Sequence, residues 1–149
     1  AALLVLCNKY SQKRKKIRIC WVRDWILRRA TYGAHNNLLK ELKIEDAQQF
    51  RNFIRISAVD FEELLSKVGS VIHKQDTHLR TAISSTERLM VTLRFLATGD
   101  SYQSLMYLFR IPACTIGGFV PEVCSAIYTE LKNIYLKARF ILIKLNGNF

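Results

Sequence analysis

The chain has few cysteines and gives them no pairing pattern. Cys7, Cys20, Cys114 and Cys124 are widely and irregularly spaced. The absence of any C-x-x-C or Cys/His quartet excludes a zinc finger. No secretory signal accompanies them, so a disulfide framework is not expected and buried, reduced thiols are. Histidine is scarcer still, with His35, His73 and His78 only. No nucleophile–base pattern frames the three. His73 and His78 stand five apart, off the i, i+4 spacing of a shared helical metal site. They are read as surface or loop residues, and a stand-alone enzyme is not expected.

Long apolar runs are missing too. Ala1 to Cys7 is too short to span a bilayer. Its charges follow it rather than precede it, the reverse of a signal peptide. It is expected to be a truncated end or a small anchor onto the core. Neither a membrane nor a small-molecule partner is expected. Internal repeats and low-complexity stretches are absent, and there is little strand signal before Phe140. The chain begins with Ala rather than Met and is expected to be a fragment.

What is present is apolar content and positive charge. Half of the 149 residues are hydrophobic. That is enough for a buried core, in one domain or one domain plus tails. Lys and Arg number 23 against 12 Asp and Glu, for a net charge of +11. The charge is uneven. Lys9, Lys13, Arg14, Lys15, Lys16, Arg18, Arg23, Arg28 and Arg29 face a single acid, Asp24, between residues 9 and 29. From Glu41 to Glu87 the balance is slightly acidic, and from Arg88 it turns basic again. A solvated basic tail is one reading of the first block. The other is nuclear import plus phosphate contact by Lys13, Arg14, Lys15, Lys16 and Arg18, a compact run of the kind importins read. Such a run adds affinity for a polyanion without sequence choice.

Helical periodicity fills the middle of the chain. Trp21 and Trp25 share a face, Arg28 and Arg29 suit a helix end, and Gly33 breaks the helix. Ala34 to Lys43 reads as a second helix with Leu38, Leu39 and Leu42 inward. Gln49 to Ile56 is a third apolar segment. Ser57 and Asp60 form a capping box before Phe61, Leu64, Leu65, Val68 and Ile72. Lys74 to Thr81 reads as a loop. Ser84 with Glu87 predicts another box, with Leu89, Leu93 and Leu96 inward and Gly99 as the stop. Ser101 caps a helix through Leu105, Leu108 and Phe109, which Pro112 ends. Cys114 to Phe119 is read as a short helix, and Pro121 as the first residue of a longer one with Val123, Ile127 and Leu131 buried. The expected fold is an all-α bundle of about seven or eight short helices.

Within it, residues 84–120 predict three helices whose second and third form a helix-turn-helix, in which the second helix enters the major groove. Met106, Arg110 and Ile116 fall where the motif wants a small residue, a turn residue and a buried aliphatic; Ile116 alone matches its type. An ordinary three-helix corner remains the other reading. Ala113, Cys114, Thr115, Gly117 and Gly118 would open the second helix. Two glycines there cost roughly 1 kcal/mol each against alanine, so a frayed helix with weak base readout is expected. The candidate DNA-contacting residues are Arg94, Ser101, Gln103, Arg110, Cys114, Thr115, Gly117 and Gly118. Most affinity is expected from phosphate contacts by Arg94, Arg110 and the N-terminal cluster.

Six segments in order carry a family resemblance: WVRDWILRR, GAHNNLLKEL, FRNFIRISAVDFEELL, KQDTHLRTAIS, ERLMVTLRFLATGDSYQSLMYLFRI and FVPEVCSAIYTELK. Together they resemble the N-terminal part of Harbinger-type transposases and the Harbinger transposase-derived nucleases, over roughly residues 20 to 137. The resemblance implies a helical, helix-turn-helix-bearing front half. In the family a ribonuclease-H-like nuclease domain follows, whose carboxylate triad holds divalent metal. After Lys137 the sequence turns to ARFILIKLNGNF, unlike the family's continuation. No catalytic residue, metal ligand or cofactor is therefore assigned to this chain, and Asp60, Glu62, Glu63 and Asp76 are read as helix-face or cap acids. Gly117-Gly118 stands where relatives tend to carry a Ser-Arg-like pair, which removes the expected bidentate base contact. Family members also work with a separate Myb-like DNA-binding protein.

The sequence thus divides into a basic tail (1–19), a helical helix-turn-helix domain (20–137) and a divergent apolar tail (138–149). The expected function is a nuclear DNA-binding module of a Harbinger-like transposase, without the nuclease. The alternatives are a module that docks the Myb-like partner, and a non-functional truncated transposon relic.

Overall fold

Ser57, Ser84 and Ser101 each accept an N–H from the first turn of the helix behind them. The donors are Asp60 at 3.1 Å, Glu87 at 3.2 Å and Ser104 at 3.2 Å. Each such cap stabilises its helix by about 1 kcal/mol. The computed structural model describes residues 22–76, 78 and 81–132. Trp21, the basic run Lys13–Arg18 and the tail 138–149 lie outside the described residues. Among the described residues the chain is all-α, with eight helices. They are α1 (Asp24–Leu27), α2 (Arg29–Tyr32), α3 (Leu38–Glu45), α4 (Ala47–Ile54), α5 (Ala58–Val68), α6 (Ser85–Thr98), α7 (Tyr102–Phe109) and α8 (Ala113–Leu131).

Helix α8 is the longest and packs on α5, α6 and α7, while α6 also packs on α4 and α5. Leu39, Phe50, Ile54, Phe61, Val68, Leu89, Leu105, Phe109 and Ile116 are among the residues sealed between them. Phe50 and Phe61 meet edge-to-face at 6.3 Å and tie α4 to α5. Burying one such side chain contributes roughly 1.5–3 kcal/mol, so the apolar stripe outweighs local propensity along each helix.

Several boundaries differ from the expected ones. Gly33 to Asn37 form a turn, so α3 starts at Leu38, which stays partly exposed while Leu39 is buried. Leu96 also faces solvent. Asp46 caps α4 by accepting from Gln49 N at 3.0 Å, and the two residues have the D-x-x-Q spacing of a helix start. The largest correction concerns Pro121. Cys114–Phe119 and the segment beyond Pro121 are one continuous helix, α8, with Pro121 in its interior. Ile116, Val120, Val123 and Ala126 run along its buried side without a break. Glycine at positions 117 and 118 does not stop it.

Glu87 does not close the expected box. Its carboxylate is buried, with Oε2 3.6 Å from Arg29 Nη1. Oε1 has no hydrogen-bond partner among the described residues. Burial pushes the Glu87 carboxyl above its ordinary value of 4.5, and the Arg29 charge offsets this only in part. The native state therefore holds the Glu87 proton more tightly than the unfolded chain does. Stability from this group is present below the unfolded value and declines as pH rises through the folded one. Glu87→Gln is expected to melt above the wild type at neutral pH, with the two melting temperatures converging below pH 4.5. Thermal unfolding across that range checks this. A variant that melts lower at neutral pH would mean that the Arg29 ion pair outweighs burial.

Candidate nucleic-acid interface

The turn Arg110-Ile111-Pro112 joins α7 to α8, whose axes meet at 103°. Ile111 is fully buried and anchors the turn. Arg110 occupies the left-handed region, φ 55° and ψ 41°, where a non-glycine residue costs roughly 1–2 kcal/mol. Its side chain recovers part of this. Nη1 donates to the Trp25 carbonyl at 2.9 Å, and the guanidinium lies 5.1 Å from the Tyr32 ring centre and 5.9 Å from that of Trp25. Trp25 in turn stacks on Tyr107 at 5.8 Å. Ala34 N donates to the Leu108 carbonyl at 3.2 Å, satisfying an end group of α7. The segment before α3 thus braces the turn from outside. Glycine at 33 permits this approach, since a Cβ there would lie 3.1 Å from the Phe109 carbonyl oxygen.

The sequence-derived residues fall into two groups at opposite ends of α7. Ser101 and Gln103 are exposed at its start. Tyr102 between them packs on Phe95 at 5.1 Å, and a Cβ on Gly117 would meet the Tyr102 ring at 3.3 Å. The start of α7 therefore lies against the second turn of α8. Arg94 sits near this end, with Nε 3.6 Å from Asp100. Its Nη1 donates to the Phe53 carbonyl at 3.0 Å, and the guanidinium covers the Phe53 ring at 4.2 Å. Arg110 lies at the other end. Both arginines are engaged inside the protein, so a phosphate would have to share or displace those contacts.

On α8, Cys114 and Gly118 are exposed, while Thr115 and Gly117 are half-buried. Cys114 and Cys124 are free thiols, and the expectation of burial fails for Cys114. It lies on the outer side of the first turn, opposite the buried Ile116 stripe. Burial pushes the Cys124 thiol up from its ordinary value.

A groove of about 280 Å³ opens beside this turn and was not visible in the sequence. Lys74, Gln75 and Thr81 come from the segment before α6, Arg88 from α6, and Thr115 and Phe119 from α8. Arg88 is buried. Nη1 donates to the Ile72 carbonyl at 2.9 Å and Nη2 to Glu122 Oε2 at 2.5 Å. The Lys74 ammonium lies 2.8 Å from the other oxygen of Glu122. These hydrogen bonds, Lys74 first, hold the Glu122 carboxyl below its ordinary value against partial desolvation.

Charge is distributed less simply than the total suggests. All 12 Asp and Glu, but only 13 of the 23 Lys and Arg, lie among the described residues. The helical body therefore carries about one net positive charge of the eleven. The rest lies in Lys9–Arg18, Arg80, Lys137, Arg139 and Lys144. Among the described residues no group of three or more His, Cys, Asp or Glu is placed to hold a metal ion. No single helix among them is long and apolar enough to cross a membrane.

Comparison of the chain with protein-family models, with curated proteins and with solved structures finds no match.

Proposed function

We propose that this chain is a DNA-binding helical module of the Harbinger-transposase type, without nuclease chemistry of its own. The observation that carries the reading is the α7–α8 pair. A three-residue turn and a 103° crossing lie within the range of helix-turn-helix units, which use 90–120° and a turn of 3–4 residues. The second helix leads with a partly exposed first turn, as a groove-reading helix requires. Cys114, Thr115 and the glycines offer few hydrogen-bond donors to base edges, so affinity comes mainly from phosphates.

Lys13, Arg14, Lys15, Lys16 and Arg18 hold a large share of the positive charge. In this reading they supply counterion release and the nuclear-import signal. The full chain is expected to bind duplex DNA with affinity that falls steeply with salt and depends little on sequence. Replacing Lys13, Arg14, Lys15 and Lys16 by alanine is expected to flatten the log–log salt slope by about 0.9 for each phosphate no longer neutralised. Fluorescence anisotropy on labelled duplexes over a salt series measures both. Absence of duplex binding at low salt would refute the reading.

A second reading has its own support. The helical body is nearly neutral, and the exposed Tyr32 and Tyr107 flank Trp25 and Arg110. Tyr, Trp and Arg are enriched at protein interfaces. In that reading the body docks a Myb-like partner that reads the DNA. Firm binding of that partner by a chain that does not retain duplex would select it.

A further inference from the structure

The groove beside α8 carries one inference that deepens the DNA-binding reading and rests on it. Three independent features converge there. The first is a buried donor without an acceptor. The Arg88 side chain is 4% exposed, yet its Nε has no hydrogen-bond partner among the described residues. Leaving such a donor without an acceptor costs roughly 1–3 kcal/mol, and Arg88 lines the groove. The second is charge. Lys74 and Arg88 share the single carboxylate of Glu122, which leaves one positive charge unbalanced at the groove. The third is the helix end. Thr115 lies in the first turn of a 19-residue helix whose N-cap is Pro112, which makes no side-chain cap hydrogen bond. The partial positive charge of a helix dipole is concentrated in that turn. The Thr115 hydroxyl, the facing Thr81 hydroxyl and the Gln75 amide add neutral donors. Below them Ile83 and Phe119 form an apolar floor.

We propose that this groove seats one backbone phosphate of bound DNA, with Lys74 at the rim, Thr115 and the α8 N-terminus at one wall, and the apolar floor against the adjoining deoxyribose. Such an interaction fixes the register of α8 on the duplex and carries no sequence information itself. Glu122 then acts as a tether that holds both cations in place and moderates their pull.

The test uses the full chain and a short labelled duplex. Lys74→Met combined with Thr115→Val is expected to weaken duplex binding roughly tenfold and uniformly across sequences, with a salt slope shallower by about 0.9. Glu122→Gln, which keeps an acceptor for Arg88 and removes the competing charge, is expected to tighten binding. Circular dichroism confirms that each variant keeps its helix. The Arg88 Nε–H resonance, followed by NMR, is expected to shift saturably as duplex is added. If wild type and double variant bind duplex with equal affinity and slope, the groove proposal falls while the DNA-binding reading stands. If the resonance responds to inorganic phosphate but not to duplex, the site takes a free anion and the DNA assignment is overturned. If the wild type binds no duplex, both fall together.

Discussion

Phe109→Ala is expected to destabilise the protein by about 3–5 kcal/mol, the range for deleting a buried phenylalanine. Phe109 is fully buried at the last position of α7. Directly behind it, Arg110 holds the left-handed turn and Ile111 is sealed into the core. The cavity left by the ring therefore lies under the α7–α8 corner, where Gly33, Ala34 and Trp25 also dock. A domain's whole stability is about 5–15 kcal/mol, so this one change removes roughly a fifth of it or more. Urea unfolding should show a lower midpoint with an unchanged m-value. On the proposed DNA-binding reading, duplex affinity should fall in proportion to the unfolded fraction. A loss under about 1 kcal/mol would mean that the corner collapses onto the cavity and is not held by Phe109.

Three helix starts were legible because their signals are local. A serine before an apolar stripe offers its oxygen to an N–H three residues on, and nothing distant is needed to see it. Ser57, Ser84 and Ser101 all act this way. So do the stops at Gly99, in the left-handed conformation that glycine adopts without strain, and at Pro112. Pro121 departs from its expected place because its local rule loses to packing. A proline inside a helix costs about 3 kcal/mol. The buried stripe through Ile116, Val120 and Val123 contributes a comparable amount at each residue. Gly117, four residues before Pro121, bears the carbonyl that loses its usual donor. With no side chain of its own, it also admits the Tyr102 ring.

The groove was illegible for a different reason. Lys74, Arg88 and the α8 pair Thr115 and Glu122 come from three separated stretches, and only the packing of α6 on α8 brings them together. The uneven placement of the charge was legible too. The acids are all in the helical body, and the basic excess is mostly at the ends of the sequence. A phosphate-dominated reading therefore relies on Lys13–Arg18 more than on Arg94 or Arg110, whose guanidinium groups already face Phe53 and Trp25.

Arg88 separates packing from ion pairing in a single comparison. Arg88→Ala is expected to cost about 3–5 kcal/mol. It empties a buried site and leaves the Ile72 carbonyl without its donor at 2.9 Å. Arg88→Met refills most of that volume and removes a charge that was expensive to desolvate. It still leaves Ile72 unpaired, so a cost within about 1–2 kcal/mol is expected. Glu122 is not stranded in either variant, because it is 40% exposed and keeps Lys74 at 2.8 Å. On these expectations the ion pair is the smaller part of what Arg88 does for the fold. Its aliphatic stem, its backbone hydrogen bond and its approach to Phe119, 5.3 Å from the ring centre, are the larger. Denaturant unfolding of the two variants, with Glu122→Gln to close a double-mutant cycle, gives the division directly. If Met proves as costly as Ala, the charge rather than the volume holds α6 against α8, and the groove loses its scaffold whenever Glu122 is neutralised.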